Sequence, residues 1–266
     1  MTEFLSLEAL AARIPDGSLL AIPPDHVGVA MAATRALLRR GAFGLRLLTV
    51  PTSGLQADLL IGAGAVAEIE TAGVMLGEAG SAGRFTAAIK AGSIVIRDAT
   101  CPAIHAGLQA AEKGIPFMPL RGILGSDLIG RRPDWRTMDN PYGNADPLLL
   151  LPALEPDIAL FHAPLADRAG NVWIGRRREL VTMAHAARVT LVTVERIQEE
   201  DLFASEASAA GSLSSLYVGA IAEAPKGAWP LGLAEHYAPD DVHLSAYAEA
   251  ARGDTGFRDY LARHVL

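Results

Sequence analysis

The stretch LRLLTVPTSGLQADLLIGAGAVAEIET, residues 45–71, determines the architecture to expect of this chain. Its two runs rich in leucine or β-branched residues, Leu45–Val50 and Val66–Thr71, have the length and side-chain types of strands. The segment between them, Leu55–Gly62, predicts a short helix that ends where the glycines begin. A strand, a helix and a second strand in this order predict a parallel strand pair covered by a helix.

The same alternation continues on both sides of this unit. Further strands are predicted at Ser18–Ile22, Ser93–Arg97, Asp157–His162 and Val189–Val194. Helices are predicted at Val27–Arg40, Pro102–Lys113 and within Asp240–Leu266. This order predicts an α/β fold, an open and mostly parallel sheet with helices on both faces. Because no break in composition interrupts the chain, we predict a single domain over residues 1–266.

Composition narrows the class of protein. The net charge is −7, and a nucleic-acid binder normally has a basic face, so we exclude nucleic acid as a partner. A local positive pocket could still take an anionic ligand. Cys101 is the one cysteine, which rules out a disulfide within the chain and predicts a cytoplasmic location. The start of the chain is acidic, and apolar runs such as Leu148–Leu151 are too short to span a bilayer, so we predict no membrane anchor.

Several common motifs are missing from the sequence. There is no G-x-x-x-x-G-K-[ST] loop for phosphates and no G-x-S-x-G elbow for a nucleophilic serine. The histidines are scattered singly, without the spacing of metal ligands on one helix face. We therefore predict no metal site, no P-loop and no serine hydrolase of the α/β type.

Thr52 and Ser53 lie between the first strand of the quoted stretch and its helix. Either hydroxyl could cap the helix, whose first amides would then face a ligand. A plain helix cap and a substrate contact are both open at this point, and we take the two residues as candidates for substrate binding.

A second candidate loop, Arg121–Leu128, follows the predicted strand Phe117–Leu120. If that strand belongs to the parallel sheet, the loop lies at the carboxyl edge, where such sheets bind ligands. Its glycines permit close approach to a substrate, although an ordinary flexible loop is the alternative. The candidate substrate-binding residues of this loop are Gly122, Leu124, Gly125 and Ser126.

Glu78 is the candidate with the most chemical interest. It follows the apolar run Val74–Leu76 and begins the pattern E-x-G-x-x-G, among residues small enough to admit a ligand. A carboxylate in such a place can attack a thioester. The alternative is a glutamate that accepts hydrogen bonds from the amides of its own loop.

Two other distinctive segments are predicted to be structural. Asp167 and the Gly170-Asn171 pair are typical of a tight turn before a strand. The basic run Arg176–Arg178 is typical of an ion-paired surface, with Glu179 beside it as the expected partner.

Six segments resemble, in order, the A subunits of family I CoA-transferases, and most of all those of the glutaconate CoA-transferases. They are 51–64 (PTSGLQADLLIGAG), 110–128 (AAEKGIPFMPLRGILGSDL), 140–143 (NPYG), 152–180, 186–197 and 220–237. The resemblance implies an α/β fold shared by A and B subunits, which pair across a common active site. It also implies an acyl-CoA thioester and a carboxylic acid as substrates, with no permanently bound cofactor.

The resemblance further implies where the chemistry takes place. In this family a glutamate attacks an acyl-CoA, an anhydride forms, and an enzyme-bound glutamyl-CoA thioester then passes CoA to a second acid. That glutamate belongs to the B subunit. Glu78 lies close to the equivalent position in the A-type chain, which often keeps a glutamate there without using it. We therefore take Glu78 as a candidate catalytic residue and expect the main nucleophile on the partner.

Two positions depart from the family pattern. After the first strand, relatives carry a Gly-Gly-Phe type of loop, whereas this chain reads Pro23-Pro24-Asp25, and prolines lack amide donors. In a hydrolytic branch that opens rings of CoA-linked steroid fragments, the resemblance implies that a glutamate of the A-type chain takes part in catalysis. Asp98 is the nearest counterpart here and is not a glutamate, which disfavours that reaction. The alternatives to transfer are an acyl-CoA or ring-opening hydrolase on the same fold, and a catalytically silent acyl-CoA-binding subunit.

Overall fold

The computed structural model describes residues 2–266. The strands are β1 (Glu3–Leu5), β2 (Leu19–Ile22), β3 (Leu45–Thr49), β4 (Val66–Thr71), β5 (Val95–Asp98), β6 (Phe117–Leu120), β7 (Arg136–Asp139), β8 (Pro147–Pro152), β9 (Ile158–Asp167), β10 (Val172–Trp173), β11 (Val189–Gln198), β12 (Ser212–Leu213) and β13 (Ala220–Glu223). The helices are α1 (Leu7–Ala12), α2 (Met31–Arg39), α3 (Leu55–Gly62), α4 (Gly83–Ala91), α5 (Cys101–Glu112), α6 (Leu128–Arg131), α7 (Arg178–Ala186), α8 (Glu206–Ala209), α9 (Asp241–Ala250) and α10 (Asp254–His264). Across residues 2–266, none of the helices has both the length and the apolar character needed to cross a bilayer.

The main sheet is parallel along its whole path. Its strand order is β1-β13-β11-β9-β2-β3-β4-β5, and the short strands β10 and β12 extend it in the antiparallel sense beside β9. The chain runs from β2 outward to β5 and then returns to β9 on the other side of β2. The strand order therefore reverses at β2, and an open α/β sheet forms its ligand crevice at such a point.

Helices cover both faces of this sheet. Neighbouring residues of each strand point to opposite faces, so each strand packs against helices on both sides. Leu47 of β3 belongs to one buried cluster with Leu37 of α2, whereas Leu48 belongs to a second cluster with Ile104 of α5 and Met183 of α7. The predicted α/β class with two covered faces is confirmed. The single-domain assignment for residues 1–266 remains a prediction.

The second helix begins later than the sequence predicts. The apolar pattern predicts a helix from Val27, but α2 starts at Met31. Gly28 has a φ of 98°, and a Cβ atom there would lie 2.2 Å from the carbonyl oxygen of His162. The chain therefore lies directly against β9 at Gly28, in a backbone conformation that favours glycine, before it turns into a helix.

The strand Phe117–Leu120 does not belong to the parallel sheet, so this part of the predicted topology is wrong. As β6 it pairs antiparallel with β8, in a separate three-stranded sheet of order β6-β8-β7. Parallel strands need a long crossover, usually a helix, and the segment between β6 and β7 forms only the four-residue α6. Pro119 fits this position because β6 is an edge strand.

Arg132 joins this small sheet to the main one. Its guanidinium lies 2.7 Å from Glu70 of β4 and 2.8 Å from Asp134, and it donates to the carbonyl of Asp98 at 3.1 Å. The same group lies over the ring of Trp135, 4.4 Å from its centroid. Burial raises the pKa of Glu70, although Arg132 acts in the opposite direction. Removing either partner would therefore leave the other charge buried without its counter-charge.

Candidate active site

A cleft of about 1310 Å³ opens at the carboxyl ends of β2, β3 and β4. The loops after these three strands form one wall, and the segment 231–247, which includes the start of α9, forms the other. The lining residues with polar side chains are Asp25, His26, Thr52, Ser53, Glu78, Glu235, His236, Tyr237, Asp241, Ser245 and Tyr247. The structure thus brings three of the predicted site residues, Thr52, Ser53 and Glu78, into one cavity.

Asp25, not Thr52 or Ser53, caps α3. The Oδ2 atom of Asp25 accepts a hydrogen bond of 3.0 Å from the amide of Leu55, and neither hydroxyl makes a capping bond. The prediction that Thr52 or Ser53 caps this helix is therefore wrong. The reason is that the loop after β2 carries a carboxylate into the capping position. Gly54 makes room for it, since a Cβ atom there would lie 2.2 Å from Oδ2.

The environment of Asp25 alters its acidity. Burial raises the pKa of Asp25 to about 6, while the amides of Leu55 and Gly54 act in the opposite direction and Asp58 adds to the rise. The second carboxylate oxygen, Oδ1, is buried and has no hydrogen-bond partner among residues 2–266, and the same holds for the hydroxyl of Ser53. Two buried polar atoms of residues that line the cleft therefore lack a hydrogen-bond partner in this part of the chain.

Glu78 is an exposed residue of a 3₁₀ turn, Gly77–Ala79, that lines the cleft. Within residues 2–266 its carboxylate accepts no hydrogen bond and forms no ion pair, and the amides of Ala79 and Gly80 donate to backbone carbonyls of the loop instead. The alternative interpretation, a glutamate held by the amides of its own loop, is therefore wrong. The carboxylate is free to meet a ligand or a partner.

A buried hydrogen-bond network holds the opposite wall. Glu195 of β11 lies 2.7 Å from Nε2 of His162, accepts a 2.7 Å hydrogen bond from the hydroxyl of Tyr237, and accepts another from the amide of Lys226. Thr193 faces the other ring nitrogen of His162 at 2.8 Å. Although burial favours the neutral acid, the hydrogen bonds from His162, Tyr237 and the Lys226 amide lower the pKa of Glu195 to about 2. The network positions Tyr237 in the wall of the cleft.

Tyr247 lines the floor of the cleft and fixes α9 to the sheet side. Its hydroxyl donates to Asp58 Oδ2 at 2.7 Å, and the other oxygen of Asp58 accepts from the amide of Phe85 at 2.7 Å. Asp58 is fully buried, and burial raises its pKa. This bond joins α3, α4 and α9, so the C-terminal helices have a defined position beside the cleft.

The loop after β6 lies away from this cleft. Gly122, Leu124, Gly125 and Ser126 do not line the cavity, because β6 belongs to the small antiparallel sheet. The topological reason for placing them at the carboxyl edge of the parallel sheet is wrong. Their contact with substrate stays a prediction that would need another part of an assembled enzyme to bring substrate to them.

Of the two segments predicted to be structural, one makes the predicted contacts and the other pairs with a different residue. Asp167 accepts from both the amide and the side chain of Asn171, at 2.9 and 2.8 Å, which confirms the tight turn. Arg176 pairs with Glu235 at 3.8 Å, so Glu179 is the wrong partner. Both side chains of that pair are largely exposed, and we assign it little energy.

Sequence reasoning missed Asp25, His162, Glu195 and Tyr237 as parts of the site. Asp25 was visible only as a departure from a family loop, and His162 only as one histidine among several. The signal for Tyr237 was its place at the end of the family-like segment 220–237, which carries no chemistry by itself.

Fold and cleft together define a parallel α/β protein with helices on both faces of its sheet and a cleft at the carboxyl edge. The coenzyme A transferase family model matches residues 4–214, and the chain belongs to this family. The predicted resemblance to A subunits is confirmed. The chain shares 29% identity with the A subunit of 3-oxoadipate CoA-transferase from Pseudomonas knackmussii, over 100% of this chain and 94% of that protein.

Two further similarities extend over most of the chain. The cholesterol ring-cleaving hydrolase IpdA subunit of Rhodococcus jostii is 32% identical over 88% of this chain and 82% of its own length. The crystal structure of glutaconate coenzyme A-transferase from Acidaminococcus fermentans superposes with a TM-score of 0.91 at 25% identity, covering 99% of this chain and 89% of that one. The chain spans 58% of the length of a protein of Archaeoglobus fulgidus that is 30% identical to it.

Proposed function

We propose that this chain is the A subunit of a CoA-transferase and that it acts with a B-type partner. The observation that carries the proposal is the match of the fold over 99% of this chain to glutaconate coenzyme A-transferase, at a TM-score of 0.91. The substrates are an acyl-CoA thioester and a carboxylic acid, and no cofactor or metal is held permanently. With its one cysteine free, the chain is proposed to work in the cytoplasm.

The reaction divides into two exchanges at the thioester. A glutamate carboxylate of the partner attacks the thioester carbonyl and expels the CoA thiolate, which leaves an acyl–glutamyl anhydride. The thiolate then attacks the glutamyl carbonyl, releasing the first acid and leaving glutamyl-CoA. A second carboxylate repeats both steps in reverse order, so CoA moves from one acid to the other without net hydrolysis.

The described residues support a binding role for this chain. Glu78 lines the cleft, but no donor among residues 2–266 orients its carboxylate. An effective nucleophile needs a fixed geometry beside donors for the developing oxyanion. We therefore assign attack to the partner, and we assign Thr52, Ser53 and Glu78 to the wall that receives the acyl group.

A hydrolase on the same fold is the second candidate, favoured by the 32% identity to the IpdA protein. One experiment separates the candidates, with this chain and the protein that co-purifies with it. CoA release and acyl-CoA formation are followed with and without added acetate. We expect acetyl-CoA to form only with acetate and the isolated chain to be nearly inactive. Release of free CoA without acetate would indicate a hydrolase, and binding without turnover a silent subunit.

A further inference from the structure

His243 lies at the centre of an aromatic cluster between α9 and α10. The centroid of its ring lies 4.4 Å from that of Trp229 and 4.8 Å from that of His264. Its Nε2 atom lies 2.9 Å from the hydroxyl of Tyr260 on α10. The loop at Trp229, α9 and α10 therefore meet at one side chain that can take up a proton near neutral pH.

The hydrogen bond to Tyr260 determines which form of His243 fits the cluster. Tyr260 is buried, and burial raises the pKa of its hydroxyl to about 12, so the hydroxyl keeps its hydrogen. His243 is the one side chain among residues 2–266 that bonds to this hydroxyl, so the hydroxyl donates to Nε2 and the imidazole is neutral. A protonated imidazole would carry a hydrogen on Nε2 and would leave the hydroxyl hydrogen of Tyr260 buried without an acceptor.

The charges around His243 also favour its neutral form. The titratable and charged groups that face it from the neighbouring elements are Asp240 before α9, Arg35 of α2, and Tyr260 and His264 of α10. Burial lowers the pKa of His243 below its ordinary value of 6.5, and His264 and Arg35 lower it further. Asp240 acts in the opposite direction, but its two oxygens already accept from the indole of Trp229 and from the amide of His243.

The helix that carries His243 also forms part of the cleft. Four of its residues line the cavity: Asp241, Leu244, Ser245 and Tyr247. The same helix packs against the turn Gly77–Ala79, which carries Glu78. Trp229 lies close to the start of the segment 231–247, which forms this wall of the cleft. A change in how His243 holds α9 therefore reaches the wall.

We propose that His243 is a positioning residue for this wall: the neutral imidazole holds α9 against α10 and Trp229, and uptake of a proton from solvent loosens the wall. No covalent bond changes in this step. An imidazole released from the cluster takes up a proton at its ordinary pKa of 6.5. The stabilisation is therefore complete above pH 6.5 and is lost as pH falls below that value.

Hydrogen–deuterium exchange of residues 241–250, measured by mass spectrometry on the complex of this chain with its co-purifying partner, tests the loosening. His243→Gln keeps an acceptor near the position of Nε2 but takes up no proton. The acid response is the ratio of exchange rates, unmodified to His243→Gln, at pH 5.5 divided by the same ratio at pH 7.5. This quotient cancels the intrinsic pH dependence of exchange and any constant effect of the substitution. We expect an acid response of at least about threefold, with a limit of about tenfold set by a pKa of 6.5 in the open state.

Two further variants, each referred to His243→Gln in the same way, identify the histidine that titrates. His264→Gln removes the neighbouring imidazole and leaves His243 in place, so it should keep an acid response of at least about twofold. His105→Gln is the matched control, because His105 lies on α5 and does not line the cleft. It should leave the acid response unchanged.

A binding measurement links the helix to the cleft. The dissociation constant of acetyl-CoA is measured by titration calorimetry on the same complexes at pH 5.5 and pH 7.5. We expect acid to weaken binding at least about twofold more in the unmodified complex than in His243→Gln, because only the unmodified wall loosens.

The outcomes distinguish this inference from the proposed function. The absence of an acid response in the exchange of residues 241–250 would overturn the role of His243, and loss of the response in His264→Gln would assign the titration to His264 instead. An acid response in exchange with the same change in acetyl-CoA affinity for both complexes would show that His243 stabilises α9 without positioning the cleft. If both measurements respond as expected but the complex transfers no CoA, the positioning role stands and the transferase assignment fails.

Discussion

Tyr237 donates its hydroxyl hydrogen to Glu195 at 2.7 Å, on the same oxygen that faces His162. The hydroxyl also accepts from the amide of Ala228 at 3.1 Å. Tyr237→Phe would leave that amide without its partner and remove one donor from a charged acceptor. We expect the free energy of unfolding to fall by about 1–2 kcal/mol. We also expect a higher KM, because the segment 231–239 forms a wall of the cleft.

Chemical unfolding and steady-state kinetics check this prediction, with Tyr217→Phe as the control. The ring of Tyr217 stacks on His185 with centroids 3.8 Å apart, and its hydroxyl has no hydrogen-bond partner among residues 2–266. That variant should change stability by less than about 0.5 kcal/mol. Equal effects of the two substitutions would show that the bond to Glu195 is not what stabilises the wall.

Asp25 should make the protein less stable as pH rises. Its folded-state pKa is about 6, above the value of 3.8 expected in the unfolded chain, so the folded state holds the proton more strongly. The stabilisation is present below pH 3.8 and is lost as pH rises through 6. Asp25→Asn removes this loss and keeps the cap. The stability advantage of the variant over the unmodified chain should be about 1 kcal/mol larger at pH 8 than at pH 5.

Urea unfolding of both proteins at the two pH values measures that difference. Asp16→Asn is a suitable control, because the hydrogen bond from Arg40 lowers the pKa of Asp16, so this carboxyl is ionised at both pH values in the folded and the unfolded state, and the effect of the substitution should not change between pH 5 and pH 8. An advantage of Asp25→Asn that stays constant from pH 5 to pH 8 would mean that the carboxyl titrates normally in the folded state.

Arg132 should be the most sensitive position between the two sheets. Arg132→Met leaves Glu70 buried without its cation, and we expect a loss of about 3 kcal/mol in the free energy of unfolding. The double change Glu70→Gln with Arg132→Met should recover a large part of that loss. Arg97→Met is the control, because the Arg97–Glu68 pair at 2.6 Å is more exposed and should cost less than about 1 kcal/mol.

Thermal and chemical unfolding of the three variants provide the measurement. A double variant that is as unstable as the single one would show that the guanidinium acts through packing on Trp135, and not by balancing Glu70.

Glu78→Gln should retain most of the activity of the assembled enzyme, without a CoA adduct at position 78. The physical reason is that nothing among residues 2–266 fixes the carboxylate for attack, and glutamine keeps its size. Mass spectrometry during turnover, with borohydride to reduce a thioester and hydroxylamine to cleave it, tests the point. Detection of CoA on Glu78 would move the covalent chemistry onto this chain.

The parallel sheet could be predicted because its information is local. Leu47 and Leu48 lie in one apolar run between turn signals, and such a run has only a few ways to bury itself. The strand Phe117–Leu120 carries the same kind of signal, yet it pairs antiparallel in another sheet. An apolar run indicates that a strand exists and does not indicate its partner.

Only some of the residues that line the cleft could be predicted from the sequence, for a related reason. Thr52, Ser53 and Glu78 lie on loops that follow predicted strands, so their place at the carboxyl edge follows from the topology. Asp25 caps a helix 30 residues further along the chain, and Tyr237 reaches Glu195 across 42 residues. Such pairs depend on the finished packing, and no local pattern in the sequence marks them.

The position of β1 at the sheet edge matters for biosynthesis. Its residues Glu3, Phe4 and Leu5 pair with Ala220, Ile221 and Ala222 of β13. The strand β1 therefore cannot pair until β13 has been synthesised. At ordinary translation rates this interval is roughly 10–40 s. The strands β2 to β5 come from a continuous stretch and can assemble while β1 is still unpaired on the ribosome-bound chain. We therefore expect the edge formed by β1 and β13 to close only after β13 has left the ribosome.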